Sequence, residues 1–412
     1  MDVKELPPRP SLEQYRKQAK TLLKGQKNGD ADALERMRQH HPRVAKLTDS
    51  ELCSGKFFLA DAQLAVAREH GFESWPRFAK HVEALSRENS STSKFESAVD
   101  AVITGDTVTL ERLLREHPQL IRARSTRRHW STLLLYVGAN GVEDYRQRSP
   151  KNAVEIAEVL LKAGADVNAV GDMYGGSTTL GLVATSIHPL VAGVQEALID
   201  TLLAHGANFD GAVAPDYTAG SIVNACLANG RGRAAAYLAK RGARLDLEGA
   251  AGVGQLDVVE SFFDRDGSLK AGATKEQMKS GFNWACEYGW PNVVDFLLQR
   301  GIDVRERHRG ATGLHYAAYG AHVEIVKLLL ERKAPVDVED ERWSGTPLAW
   351  ALHSWLNPSP EIVRDGFYEV AALLVAAGST VEPEWLDSET MRADPRMLSA
   401  LGVVVRSKTV RA

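Results

Sequence analysis

The stretch that decides the fold is RHRGATGLHYAAYGAHVEIVKLLLERKAPVD, residues 307–337. Thr312 can cap a helix whose Leu314, Ala317 and Ala318 share one face. Two successive alanines let a neighbouring helix approach closely. Val323, Val326, Leu329 and Leu330 then form the apolar stripe of a second helix. A helix of this kind commonly ends on glycine in the left-handed conformation. Lys333 stands at that place, so its cap is expected to cost some stability.

The same punctuation recurs on both sides of this stretch. Second helices are expected to end at Gly164-Ala165, Gly206-Ala207, Gly242-Ala243, Gly301-Ile302 and Gly378-Ser379, with a weaker end at Asp266-Gly267. Apolar runs precede each of them, as at Ile156 to Leu161 and Val293 to Leu298. A degenerate first copy spans Phe95 to Arg124. The pattern predicts eight copies over 95–385, about 36 residues each. The interval from Gly242 to Gly267 is short, which predicts a missing or stunted connection before Leu247. Three copies are enlarged between their helices, at 142–152, 188–194 and 356–366. The first two inserts are expected to form one raised lip.

Residues 307–337 resemble the ankyrin repeat. Thr312, Leu314, His315, Ala317 and Ala318 hold the places of its T-P-L-H-x-A-A motif. Gly313 stands where the family has proline, and Lys333-Ala334 replaces the usual Gly-Ala. Ile325-Val326 and Leu328 to Leu330 match its second helix. The resemblance implies an all-α solenoid of helix-turn-helix repeats with β-hairpin fingers. It also implies that the His315 ring bonds between neighbouring repeats, and that binding uses the fingers and the exposed face of the first helices.

Residues 1–85 do not fit the repeat. Four short helices are expected there, around a small core of Tyr15, Phe72, Trp75 and Phe78, leaning on the first repeat. The run from Leu59 to Pro76 resembles a helical module found ahead of ankyrin arrays in prokaryotic proteins, and brings no known activity with it. The expected layout is a module at 1–85, a polar linker at 86–94, the array at 95–385 and capping helices with a tail at 386–412.

Composition bounds the function. Apolar residues are 44% and charged residues 25%, which rules out wholesale disorder. Fifty basic residues meet 53 acidic ones, so no strong field draws the whole chain to nucleic acid or anionic lipid. Cys53, Cys226 and Cys286 are too far apart for a disulfide framework or a zinc knuckle. With no apolar leader and no run of 18 apolar residues, a cytoplasmic protein is expected.

No phosphate-binding loop, dinucleotide fingerprint or nucleophile elbow is present. No enzyme activity, cofactor or metal is therefore expected. His40-His41 reads as a surface helix end, and His188 has no partner ligand at fixed spacing. Arg122, Arg124, Arg127 and Arg128 form a basic patch on the first finger, facing either solvent or an acidic partner.

Aligning the copies points to a partner-binding strip. The sixth presents Trp284, Glu287 and Tyr288; the seventh His308, Arg309, Tyr316 and Tyr319; the eighth Trp343, Trp350 and His353. Aromatics and arginine dominate interface energies. Trp284, Tyr316 and Trp350 share one repeat position, so a structural ladder is the competing reading. The leading expectation is a non-catalytic scaffold for an unidentified protein or peptide. A small-molecule or enzymatic site near the inserts and His188 is the alternative. A second is weak nucleic-acid binding through Arg16, Lys17, Lys20, Lys24 and Lys27.

Overall fold

The computed structural model describes residues 3–7, 9–87, 90–209, 221–362 and 364–403. The chain divides into two compact halves, Met1–Ile222 and Val223–Ala412.

The first half opens with α1 (Leu12–Asn28), α2 (Ala31–His40), α3 (Asp49–Ser54), α4 (Leu59–Glu69) and α5 (Trp75–Leu85). Five helices thus stand where the patterning suggests four. The extra one, α3, is too short to show an apolar period. Thr48 and Glu51 start it by bonding each other's backbone N–H. Tyr15, Ala19, Leu22, Met37, Val66, Phe72 and Phe78 form the core. Tyr15 and Phe72 meet Phe78 edge-on, with ring centroids 4.9 and 5.3 Å apart. His40 and His41 are buried rather than on the surface. Burial lowers the pKa of His41, whose Nε2 lies 3.3 Å from Asp61 Oδ1.

Helix pairs follow: α6 (Ser91–Thr104) with α7 (Thr107–Glu116), α8 (Leu133–Val137) with α9 (Ala153–Lys162), and α10 (Thr179–Thr185) and α11 (Ile187–Val191) with α12 (Gln195–Ala204). Ser90 caps α6, so Ser91 to Lys94 form its first turn and are not linker; Glu88 and Asn89 lie outside the described residues.

The first insert does not rise as a lip. It turns inward and carries Glu143 and Arg146 into a buried charge cluster with Glu96 of α6 and Arg127. Arg146 bonds Glu96 at 2.6 Å and Asp100 at 3.0 Å. Arg127 pairs with Glu143 and, at 3.5 Å, with Glu96. Arg127 also donates to the His70 carbonyl at 3.1 Å and lies over Phe72, 5.2 Å from the ring centroid. It is 2% exposed, so it faces neither solvent nor a partner. Burial opposes ionisation of Glu143, yet Arg127, His129 and Arg146 hold it well below the usual carboxylate range. Arg127 therefore couples the amino-terminal core to the first two helix pairs.

The second half contains α13 (Ile222–Ala228, starting at the last residue of the first half) with α14 (Gly232–Lys240), then α15 (Leu247–Gly252) with α16 (Leu256–Ser261). Next come α17 (Lys275–Tyr288) with α18 (Pro291–Gln299), α19 (Gly313–Tyr319) with α20 (Val323–Glu331), and α21 (Pro347–Leu356) with α22 (Gly366–Ala376). Only residues 241–246 join α14 to α15, and Asp246 already caps α15, so no finger stands there. The fifth pair's second helix ends at Ser261 and not at Gly267. Gly267 instead takes φ +87 in the tight turn between bridged Phe263 and Leu269. Among the described residues the fingers carry single antiparallel bridges, at 171–177, 263–269 and 308–311.

Thr312 and His315 form the expected start of α19. His315 Nδ1 accepts from the Thr312 N–H at 3.2 Å, which leaves Nε2–H to donate to the Gly345 carbonyl of the next finger at 3.1 Å. Burial lowers the pKa of this ring, against the pull of the Gly345 carbonyl. Lys333 takes φ +62 at the end of α20. The third insert reaches back to the fourth pair, where Glu361 accepts the Arg233 N–H at 3.0 Å; Val363 lies outside the described residues. The described chain closes with α23 (Glu389–Arg392) and α24 (Pro395–Ala400), which bury Met391 and Met397 in the core that includes α22; residues 404–412 lie outside it.

Candidate functional site

Helices α17, α19 and α21 lie side by side in chain order. Trp284, Tyr316 and Trp350 occupy one position along them, and Glu287, Tyr319 and His353 the position three residues on. The first set stacks. Trp284 meets Tyr316 at 6.4 Å between ring centroids and Tyr316 meets Trp350 at 5.4 Å, both edge-to-face. Tyr319 and Trp343 join the same Trp350 ring at 6.1 and 5.8 Å. Perpendicular geometry sets each positive ring edge against a negative face, so the rings hold one another.

Polar groups fix the ladder at both ends. Trp284 is buried, and its Nε1–H donates to Glu248 at 2.8 Å. Arg309 donates to the same carboxylate oxygen at 3.3 Å and covers the Trp284 ring at 5.2 Å. Trp350 Nε1–H donates to Asp340 at 3.0 Å. Asp340 also accepts the N–H groups of Arg342, Trp343 and Gly345, each at 2.8 Å. Burial would raise this carboxyl, but the Trp343 N–H, the Trp350 ring and the other two donors hold it at about 2. Asp340 thus fixes the finger that presents Trp343, which is 65% exposed with Arg342 over its ring. Neither Glu248 nor Asp340 is among the residues expected from the aligned copies. Asp340 was within reach, because an aspartate before a Ser-Gly turn commonly bonds the backbone two or three residues on.

Tyr316, Tyr319, Trp343 and Trp350 therefore share one surface strip, whereas Trp284, expected to face a partner, is buried beneath Arg309 and supports the strip. Tyr316, Tyr319 and Trp350 are half-buried, and Arg309 and His353 are exposed. Besides Trp284, two more of the ten residues are used by the fold. The Tyr288 hydroxyl donates to the Leu227 carbonyl at 2.5 Å, and its ring covers Gly232 so closely that a side chain there would collide. His308 bonds Ser280 at 2.7 Å and holds the finger to α17. Glu287 is half-buried, and burial pushes its carboxyl up to about 8, with Arg309 pulling the other way.

The sequence profile for ankyrin repeats (3 copies) matches residues 247–340 and 282–382, the part that carries this strip. The chain contains an ankyrin repeat domain. Ankyrin repeats mediate protein–protein interaction. Among curated proteins, the chain is 35% identical over 102 residues to E3 ubiquitin-protein ligase Ufd4 of Drosophila melanogaster, covering 25% of this chain and 3% of that one. It is 43% identical over 63 residues to Inversin of Gallus gallus, covering 14% and 6%. It is 31% identical over 106 residues to Probable E3 ubiquitin-protein ligase XBOS33 of Oryza sativa subsp. japonica, covering 26% and 20%. The matched segment is thus a small part of each relative. Among solved structures, the human ASB11 ankyrin repeat domain matches 69% of this chain and 99% of its own, at 20% identity and a TM-score of 0.35.

The other candidate groups are placed as follows. His188 is half-buried on α11. Arg16, Lys17, Lys20, Lys24 and Lys27 all lie exposed on α1, where Lys17 pairs with Glu13 at 2.8 Å. Among the described residues no three His, Cys, Asp or Glu side chains come together as a metal site, and no helix is long and apolar enough to cross a membrane.

Proposed function

We propose that this ankyrin-repeat chain is a non-catalytic cytoplasmic scaffold. It receives a protein or peptide on the strip formed by Glu287, Tyr316, Tyr319, Trp343, Trp350 and His353, with Arg309 at the edge and Trp284 buried beneath it. Tyr288 and His308 hold the surface in shape from behind. Residues 1–85 form a module that packs against the start of an array at 95–385, and α23 and α24 close its other end.

The observation that carries this reading is the exposed Trp343 at the end of a ladder whose other members are already fixed. An aromatic anchor on a rigid support loses little freedom when a partner covers it, so more of its burial energy appears as affinity. Each such anchor is worth about 2 kcal/mol or more.

The test is affinity capture from the native host, with captured proteins quantified for wild type and a Trp343→Ala, Tyr319→Ala double variant. Recovery of specific partners should fall at least about tenfold in the variant. Equal recovery by a variant with an unchanged circular dichroism spectrum would sink the assignment.

A further inference from the structure

Glu287 stands apart from its neighbours in the strip. It follows Trp284 by three residues at the carboxy-terminal turn of α17, where α19 has Tyr319 and α21 has His353. Its backbone carbonyl is used, accepting His322 Nε2 at 2.7 Å. Its carboxyl makes no hydrogen bond or ion pair among the described residues, although the residue is half-buried. Withdrawing a carboxylate without a donor is costly, and a fold with no use for the charge would place an apolar side chain there.

The surrounding charges do not supply the missing partner. Arg309 lies nearby but bonds Glu248 and covers Trp284. Arg231 acts on Glu361, which also accepts the Arg233 N–H. Glu287 is therefore an unpaired acid of this surface, which burial keeps protonated at neutral pH in the free chain, and it lies close enough to act on the hydroxyls of Tyr288, Tyr316 and Tyr319 when it ionises. The Tyr316 and Tyr319 hydroxyls make no hydrogen bond among the described residues. An unpaired carboxyl beside half-exposed aromatic rings suits one kind of group, a cation whose approach favours the ionised form and releases the proton. Ring faces and carboxylate both favour a cation, and both repel an anion.

We propose that Glu287, with Tyr316 and Tyr319, receives a lysine or arginine side chain of the protein partner. The cationic head pairs with the Glu287 carboxylate and its stem lies along the two tyrosine rings. This rests on the strip being the partner surface, and it adds the chemistry of the occupant: a basic segment rather than an acidic or purely apolar one.

The test starts from a random twelve-residue peptide library displayed on phage and selected on the wild-type full chain. Selected peptides should share a Lys or Arg position. In a synthetic copy of the best peptide, replacing that Lys with norleucine, or that Arg with citrulline, should weaken binding about tenfold by calorimetry. Against a Glu287→Gln chain the same replacement should cost about twofold or less, because Gln cannot ionise to pair with the cation. Glu287→Asp keeps the charge and should retain part of the discrimination.

Peptides with no shared cation, or an equal loss on both chains, would overturn the inference. If those peptides still lose binding to the Trp343→Ala, Tyr319→Ala chain, the strip remains the partner surface. If they bind that chain as tightly as wild type, the surface assignment falls and this inference with it. A library that yields no binder counts against both.

Discussion

Lys333 shows how a single residue departs from its repeat. It holds φ +62, a conformation that a side chain makes costly and glycine adopts freely. Lys333→Gly should therefore raise stability by about 0.5–1 kcal/mol, seen as a higher thermal midpoint. A lower midpoint would mean that the lysine makes a contact worth more than its strain. Glu287 makes a second prediction at this scale. Its folded pKa is about 8, against an ordinary value of 4.5. Between those values the folded chain keeps a proton that the unfolded chain has lost. Stability is thus fully present below about pH 4.5 and falls as pH rises toward about 8, by at most about 5 kcal/mol. Urea midpoints of wild type and Glu287→Gln should diverge across this window, and parallel curves would refute the shift. Thr312 and Lys333 were legible because their roles are local, and the bond of His315 to the next finger because the ankyrin resemblance implies it. Arg127 was not: its partners Glu96 and Glu143 lie far along the chain, and a run of arginines looks the same whether solvent or carboxylates face it.

Among the elements, the first insert decides most. Residues 142–152 give no periodic signal, which is why they read as a surface lip. Their charged residues mark them as structural only once Glu96 and Arg127 are seen opposite. Arg146→Ala would leave Glu96 and Glu143 buried with one cation fewer. Removing one partner from a buried ion network typically costs about 3–5 kcal/mol, and the urea midpoint should drop accordingly. An effect of a few tenths of a kcal/mol would show that the cluster is wetter than its geometry indicates. The short junction at 241–246 was legible for a simpler reason: the glycine interval leaves no residues from which to build a finger. The end of α16 was misplaced because Gly267 serves a turn, and glycine alone does not distinguish a turn from a helix cap.

For the whole molecule, a repeat array has no single centre, so its ends need closing. Met391, Met397 and Leu401 join the core of the last pair, which includes Phe367, Val370 and Leu374. Truncation after Asp387 should uncover that face, and size-exclusion chromatography should then show self-association that the full chain lacks. A monodisperse truncated chain at the wild-type elution volume would contradict it. The helix pairs were legible because apolar runs recur along the chain and a left-handed glycine follows five of the second helices, at Gly164, Gly206, Gly242, Gly301 and Gly378. The strip was legible as a set of residues but not as a packed ladder, since sequence position alone does not say whether aromatic rings face one another or a partner.

The ladder also sets a ruler. From α17 to α21 there are two interhelix steps, about 16–20 Å at the usual 8–10 Å spacing. An extended chain covers that in about five or six residues. A partner crossing the strip would carry its recognition sequence in a segment of about that length, with one basic position toward the end that meets Glu287 and room for a single large apolar group beside Trp343.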